Sequence, residues 1–121
     1  MSGETLETLV DRYCAAWNTP DGGERRIILR SVLTEGGLYV DPSVRAAGVE
    51  ALAVHIDGVV SRNVGARISR TSPIDAHHEV LRFLWCNRLP DGHVLRDGVD
   101  FCTIATDGKF QSIVGFFGPA Q

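Results

Sequence analysis

The chain has 121 residues, 44% hydrophobic and 22% charged, a composition of ordinary globular proteins that excludes disordered and fibrous architectures. Its 12 Lys and Arg against 15 Asp and Glu give a net charge of −3, and no basic stripe interleaved with aromatics runs through it, so nucleic acid is not expected as a partner. A chain this short builds one core, and residues 1–121 are read as a single domain. No apolar run approaches the roughly 18 residues of a membrane span, and residues 1–18 are acidic and amphipathic rather than signal-like. A cytoplasmic protein without a membrane partner is expected. Cys14, Cys86 and Cys102 are odd in number, widely spaced and set among apolar neighbours, which predicts buried thiols and no disulfide.

Leu6, Leu9, Val10, Tyr13, Cys14 and Trp17 fall on one helical stripe, predicting a helix from Glu4 to Asn18 with Tyr13 and Trp17 facing inward. Thr19-Pro20-Asp21-Gly22-Gly23 breaks it. Asp21 with Glu24 has the form of a capping box for a second helix, whose apolar face is Ile27, Ile28, Leu29, Val32 and Leu33 and which Glu35-Gly36-Gly37 ends. Leu38 to Pro42 is a short β-prone run, with Asp41 at its end, followed by a loop through Gly48. Val49, Leu52, Ala53, Ile56, Val59 and Val60 predict a third helix, closed near Asn63 to Gly65. Four β-prone runs follow: Ala66 to Thr71, Ala76 to Arg88, Val94 to Thr106 and Phe110 to Phe117. Three helices followed by a meander predict an α+β fold with helices packed on one face of a strongly curved antiparallel sheet. Both faces of the Ala76 to Arg88 run are largely apolar, so one should cover the helices and the other a second subunit.

Asp107-Gly108 between the last two runs is a strong hairpin signal. Inside that hairpin Asp100 alternates with apolar residues, so its carboxyl either lies in a polar pocket, stays neutral and donates a hydrogen bond, or pairs with Arg82 or Arg96. Asp41 before Pro42 is either a turn residue or a carboxylate at a cavity edge. Tyr13 is a core aromatic or a buried donor. His77 and His78 point opposite ways, and with Glu79 they lack the spacing of a helical zinc motif, so no metal site is expected. No glycine-rich phosphate loop or nucleophile-base pairing stands out, and no cofactor is expected.

RYCAAWN at 12–18, YVDP at 39–42 and VDFCTIATDGKFQSIVGFFG at 99–118 resemble, in order and spacing, segments of the nuclear transport factor two-like (NTF2-like) superfamily, in its SnoaL-like and ketosteroid isomerase-like branch. The resemblance implies a cone-shaped α+β barrel with a deep pocket and a homodimer through the outer sheet face. It puts Asp41 at the general base and Tyr13 with a protonated Asp100 at the oxyanion. The implied activity is cofactor-free proton transfer, isomerisation or aldol-type cyclisation, on a small apolar carbonyl compound. The alternative is a non-catalytic ligand-binding or protein-interaction member of the fold. The isomerases carry a second tyrosine on the third helix where this chain has Ile56 beside His55. Trp17, Tyr39, His55, Trp85 and Phe116 are expected to line a pocket of altered shape, with His55 as an additional acid or base. Related epoxide hydrolases use an arginine and aspartate two apart on a strand. Arg96 and Asp97 are adjacent and face opposite ways, which discounts that chemistry.

Overall fold

The computed structural model describes residues 5–118; Glu4, expected in the first helix, lies outside them. Helix α1 spans Leu6–Asn18 and begins at Thr5, whose hydroxyl accepts from the Thr8 N–H. Helix α2 spans Gly22–Val32, and the Asp21 carboxylate accepts from the Glu24 N–H at 2.8 Å, the cap that the sequence pattern predicts. Helix α3 spans Val49–Arg62. Leu9, Val10, Ala16, Leu29, Val32, Leu52, Ala53 and Ile56 are buried where the three helices meet the sheet. Ile27, assigned to the buried face of α2 from its apolarity, is exposed, and Arg25 occupies the interior instead. The Arg25 guanidinium donates to the carbonyls of Ala16 and Thr19 and pairs with Asp57. It thereby satisfies carbonyl oxygens at the end of α1 while tying α2 to α3.

The strands are β1 (Leu33–Asp41), β2 (Val44–Ala47), β3 (Arg67–Arg70), β4 (Asp75–His77), β5 (Val80–Arg88), β6 (Val94–Ile104) and β7 (Phe110–Phe117). They form one curved sheet in the order β2-β1-β7-β6-β5-β3, with β4 also on β5, and it wraps the helices without closing. Irregular registers between Leu33 and Leu38, Asn87 and Arg88, and Thr103 and Ile104 supply bends in the strands.

Four details correct the sequence reading. The sheet is mixed, because β1 pairs with β7 in parallel. Strand β1 starts at Leu33 directly after α2, and Gly36-Gly37 forms an irregularity within it, with Gly36 at φ +75°, rather than a helix end. The segment read as a loop before Gly48 contains β2, a four-residue edge strand too short to show alternation. The run from Ala76 to Arg88 is broken by a two-residue turn at His78 and Glu79, both at positive φ. That turn geometry normally selects glycine or asparagine, so the break carries no sequence signal.

Because Arg25 donates to the carbonyls of Ala16 and Thr19 from a buried position, Arg25→Met should cost about 2–3 kcal/mol in urea unfolding. Arg82→Met, which removes an exposed ion pair with Asp75, should cost much less. Equal effects would show that the buried guanidinium contributes nothing special.

Candidate active site

One cavity of about 320 Å³ opens between the helices and the concave face of the sheet. Its wall is built in rungs across β5, β6 and β7. Phe83, Asp100 and Gly115 stand abreast in the deepest rung, Trp85, Gly98 and Phe117 in the next, and Asn87 with Arg96 toward the mouth. Helix α3 contributes His55, Val59 and Arg62 at helical spacing, α1 contributes Tyr13, Cys14 and Trp17, and Tyr39 and Asp41 alternate inward from β1.

Asp100 is buried, and its Oδ1 accepts from the Trp85 indole Nε1–H at 2.9 Å. Glycine makes this contact possible. A Cβ on Gly98 would stand 2.7 Å from the indole ring and 2.2 Å from the Phe116 carbonyl oxygen, so only a bare strand lets Trp85 lie across β6. Burial pushes the Asp100 carboxyl up to about 7; the Trp85 bond pulls against this, and the nearby Asp41 charge adds to it. Gly115 fills the gap between the two carboxyls. A Cβ there would lie 2.9 Å from Asp100 Oδ1 and 3.5 Å from Asp41 Cβ.

Asp41 is held differently. Its Oδ2 accepts from the Tyr39 hydroxyl at 2.6 Å, and its Oδ1 accepts from the N–H and the hydroxyl of Ser43, each at 2.7 Å. The His55 Nε2 lies 3.7 Å from Oδ2. Burial pushes this carboxyl up, but Tyr39, both Ser43 donors and His55 outweigh it and hold it below the usual carboxylate range. Burial raises Tyr13 and Tyr39 well above the ordinary phenol value, so both remain hydroxyl donors at neutral pH. Tyr13 lines the cavity, and the nearby Tyr39 and Asp100 add to the rise that burial causes.

The cavity thus brings together Tyr13, Trp17, Tyr39, Asp41, His55, Trp85 and Asp100. Phe116 is not among them. It is 53% exposed on the outer sheet face, edge-on to Phe101, and Phe117 lines the cavity instead because successive strand residues alternate faces. Arg82 pairs with Asp75 and Arg96 stacks on Phe117, so the alternative of a salt bridge to Asp100 is not realised. Ile56 is fully buried, and the tyrosine that supports the site comes from β1, two residues before Asp41. His77 and His78 lie outside the cavity. Sequence reasoning missed Ser43, whose signal was its position two residues after an aspartate, and the mouth residues Arg62, Asn87 and Arg96, which carried none. Among the described residues no group of three or more His, Cys, Asp or Glu could hold a metal ion, and no helix is long and apolar enough to cross a membrane.

A carboxyl whose folded pKa lies above its unfolded value of about 4 contributes fully below that pH and loses its contribution as pH rises toward about 7. Wild type should therefore lose up to about 4 kcal/mol over that window relative to Asp100→Asn, which lacks the ionisation. Urea unfolding at several pH values measures the difference. A constant gap between the two proteins would mean an ordinary, ionised Asp100.

No protein-family model matches the chain, and no curated protein matches it. Among solved structures, a candidate isomerase of the SnoaL-like family from Agrobacterium tumefaciens str. C58 is 30% identical at a TM-score of 0.88, covering 93% of this chain and 97% of that one. An NTF2-like protein of unknown function from Exiguobacterium sp. 255-15 aligns at a TM-score of 0.73 and 19% identity, over 93% of this chain and all of the other. A SnoaL-like protein of unknown function from Burkholderia thailandensis E264 aligns at 0.74 and 10% identity, over 98% of this chain and 99% of the other. The last two show the fold alone. The order of elements, the unclosed sheet around three helices and the identity to the Agrobacterium protein together establish that this chain belongs to the SnoaL-like branch of the NTF2-like superfamily.

Proposed function

We propose that this protein binds a small, largely apolar carbonyl compound and moves a proton on the carbon beside the carbonyl, in an isomerisation or aldol-type cyclisation that needs no cofactor. The observation that carries this reading is the pair of buried aspartates facing one cavity across Gly115, with surroundings that push their carboxyls in opposite directions. Asp41, ionised, accepts the proton as the C–H bond breaks. The electron pair moves into the enolate, and the Tyr13 hydroxyl and the neutral Asp100 donate to its oxygen. Asp41 returns the proton to the same or a conjugated carbon, or the enolate attacks a second carbonyl, whose oxygen becomes an alkoxide and takes the proton back from Asp41. Trp17, His55, Trp85 and Phe117 shape the pocket and exclude water.

Deuterium exchange beside the carbonyl, followed by magnetic resonance over a panel of small cyclic and open-chain ketones, tests this. Asp41→Asn should slow exchange by roughly 10²–10⁴-fold. Unchanged exchange would remove Asp41 as the base. Tyr39→Phe deletes a donor that favours the carboxylate, so Asp41 should protonate at higher pH and the acidic limb of the rate profile should move upward. A limb that stays in place would separate Tyr39 from the base.

A second reading draws on the three hydrogen bonds that lower the basicity of Asp41: a member of the fold that holds its ligand unchanged. Tight ketone binding without any exchange would favour it.

The outer sheet face is the proposed homodimer surface, since Phe101 and Phe116 are 43% and 53% exposed and pack edge to face. Light scattering should give twice the chain mass for wild type and the monomer mass for Phe116→Asp. A monomeric wild type would overturn this assembly.

A further inference from the structure

The cavity carries more charge than proton transfer on a neutral ketone uses. Its depth holds the two carboxyls, and its mouth holds the guanidinium groups of Arg62, at the end of α3, and Arg96, on β6. Both residues are exposed. Among the described residues neither has a carboxylate within ion-pair distance, and of the arginines without one these two line the cavity. The two side chains are nonetheless seated. Arg96 lies 4.1 Å above the ring of Phe117, itself a lining residue, and a Cβ on Gly58 would meet the Arg62 Nη1 at 3.2 Å, so Arg62 lies back along its own helix. Asn87 stands abreast of Arg96, and its Oδ1 is buried without a hydrogen-bond partner. Asn87 also lines the cavity, and its side-chain amide offers N–H donors beside Arg96.

We infer that the ligand of this cavity is an oxo acid whose carboxylate is held at the mouth by Arg62, Arg96 and Asn87. Its carbonyl reaches toward Asp100 and Tyr13, a placement that rests on the proton-transfer reading, whereas the anionic end does not. Guanidinium forks match a carboxylate's two oxygens, and the stretch between mouth and depth is lined by Val59, Ile68, Trp85 and Phe117, which suits an apolar spacer. Arg96 precedes Asp100 by four strand residues, roughly 13 Å of backbone, and leans back over Phe117, abreast of Gly98. The carboxylate and carbonyl of the ligand are therefore separated by a distance on the order of 10 Å. The Asp41 carboxylate at the depth opposes an anion entering in the reverse direction, which fixes the ligand's orientation.

Binding of 8-oxononanoate, its methyl ester and nonan-2-one, followed by the fluorescence of Trp17 and Trp85, tests the inference. Wild type should bind the acid at least about tenfold more tightly than the ester. That preference should shrink at about 0.5 M salt and fall below about threefold in Arg62→Gln/Arg96→Gln. Arg30→Gln/Arg45→Gln, an equal charge change at exposed positions of α2 and β2 outside the cavity, should retain it. Equal binding of acid and ester by wild type, or a preference that survives the double substitution, would overturn the inference. Arginine-dependent binding without deuterium exchange beside the ketone would keep the anion site and remove the proton transfer. Exchange at equal rates on acid and ester would do the reverse.

Discussion

The parallel ladder between β1 and β7 is the constraint on which the cavity depends. It pairs Val40 with Val114 and so sets Asp41 beside Gly115, which the antiparallel β6-β7 register already places abreast of Asp100. Two carboxyls about 60 positions apart in the chain become neighbours through one strand position without a side chain. Any residue other than glycine there would press on the Asp100 carboxyl and separate the pair. The ladder also fixes Tyr39 on the same face as Asp41, because residues two apart on a strand share a side. Its hydroxyl therefore reaches the carboxylate without help from α3.

The helices, the final hairpin and the inward face of α1 were legible because each rests on local information: a periodic apolar stripe, a cap three residues from its partner, a turn that needs glycine. The parallel pairing was not, since strands so distant in sequence share no turn and no register signal. Strand β2 and the His78-Glu79 turn escaped for a related reason, one being too short to alternate and the other adopting positive φ without glycine. At the site, Asp100 stood out as a carboxyl among apolar residues, and its burial follows from that. The choice of Phe116 over Phe117 failed because both faces of β7 carry an aromatic, so composition alone could not orient the strand end. Resemblance supplied the grouping of Tyr13, Asp41 and Asp100, which no local pattern contained.

The two aspartates illustrate how one cavity sets unlike states on like groups. Asp41 lies at a strand end, where the turn into Ser43 offers a backbone N–H and a hydroxyl, and four influences favour its charge against burial. Asp100 lies mid-strand, where the backbone is committed to the sheet, and among the described residues its donor is the Trp85 side chain. Position along the strand therefore decides the difference, before any ligand is present. The Asp41 charge, once fixed, further disfavours a second charge on Asp100.

The asymmetry carries an energetic consequence that links fold to chemistry. A carboxyl that resists ionisation destabilises the native state at neutral pH, and the structure retains it by using Gly98, Trp85 and Gly115, three residues whose arrangement serves Asp100 more than packing. A merely structural position would be filled better by an apolar residue of similar volume, with no loss as pH rises. Retaining the acid makes sense where its proton is used as a hydrogen-bond donor, inside a cavity whose opposite end is cationic. In the proposed reading the floor accepts and donates protons while the mouth recognises charge, with the apolar rungs standing between the two ends.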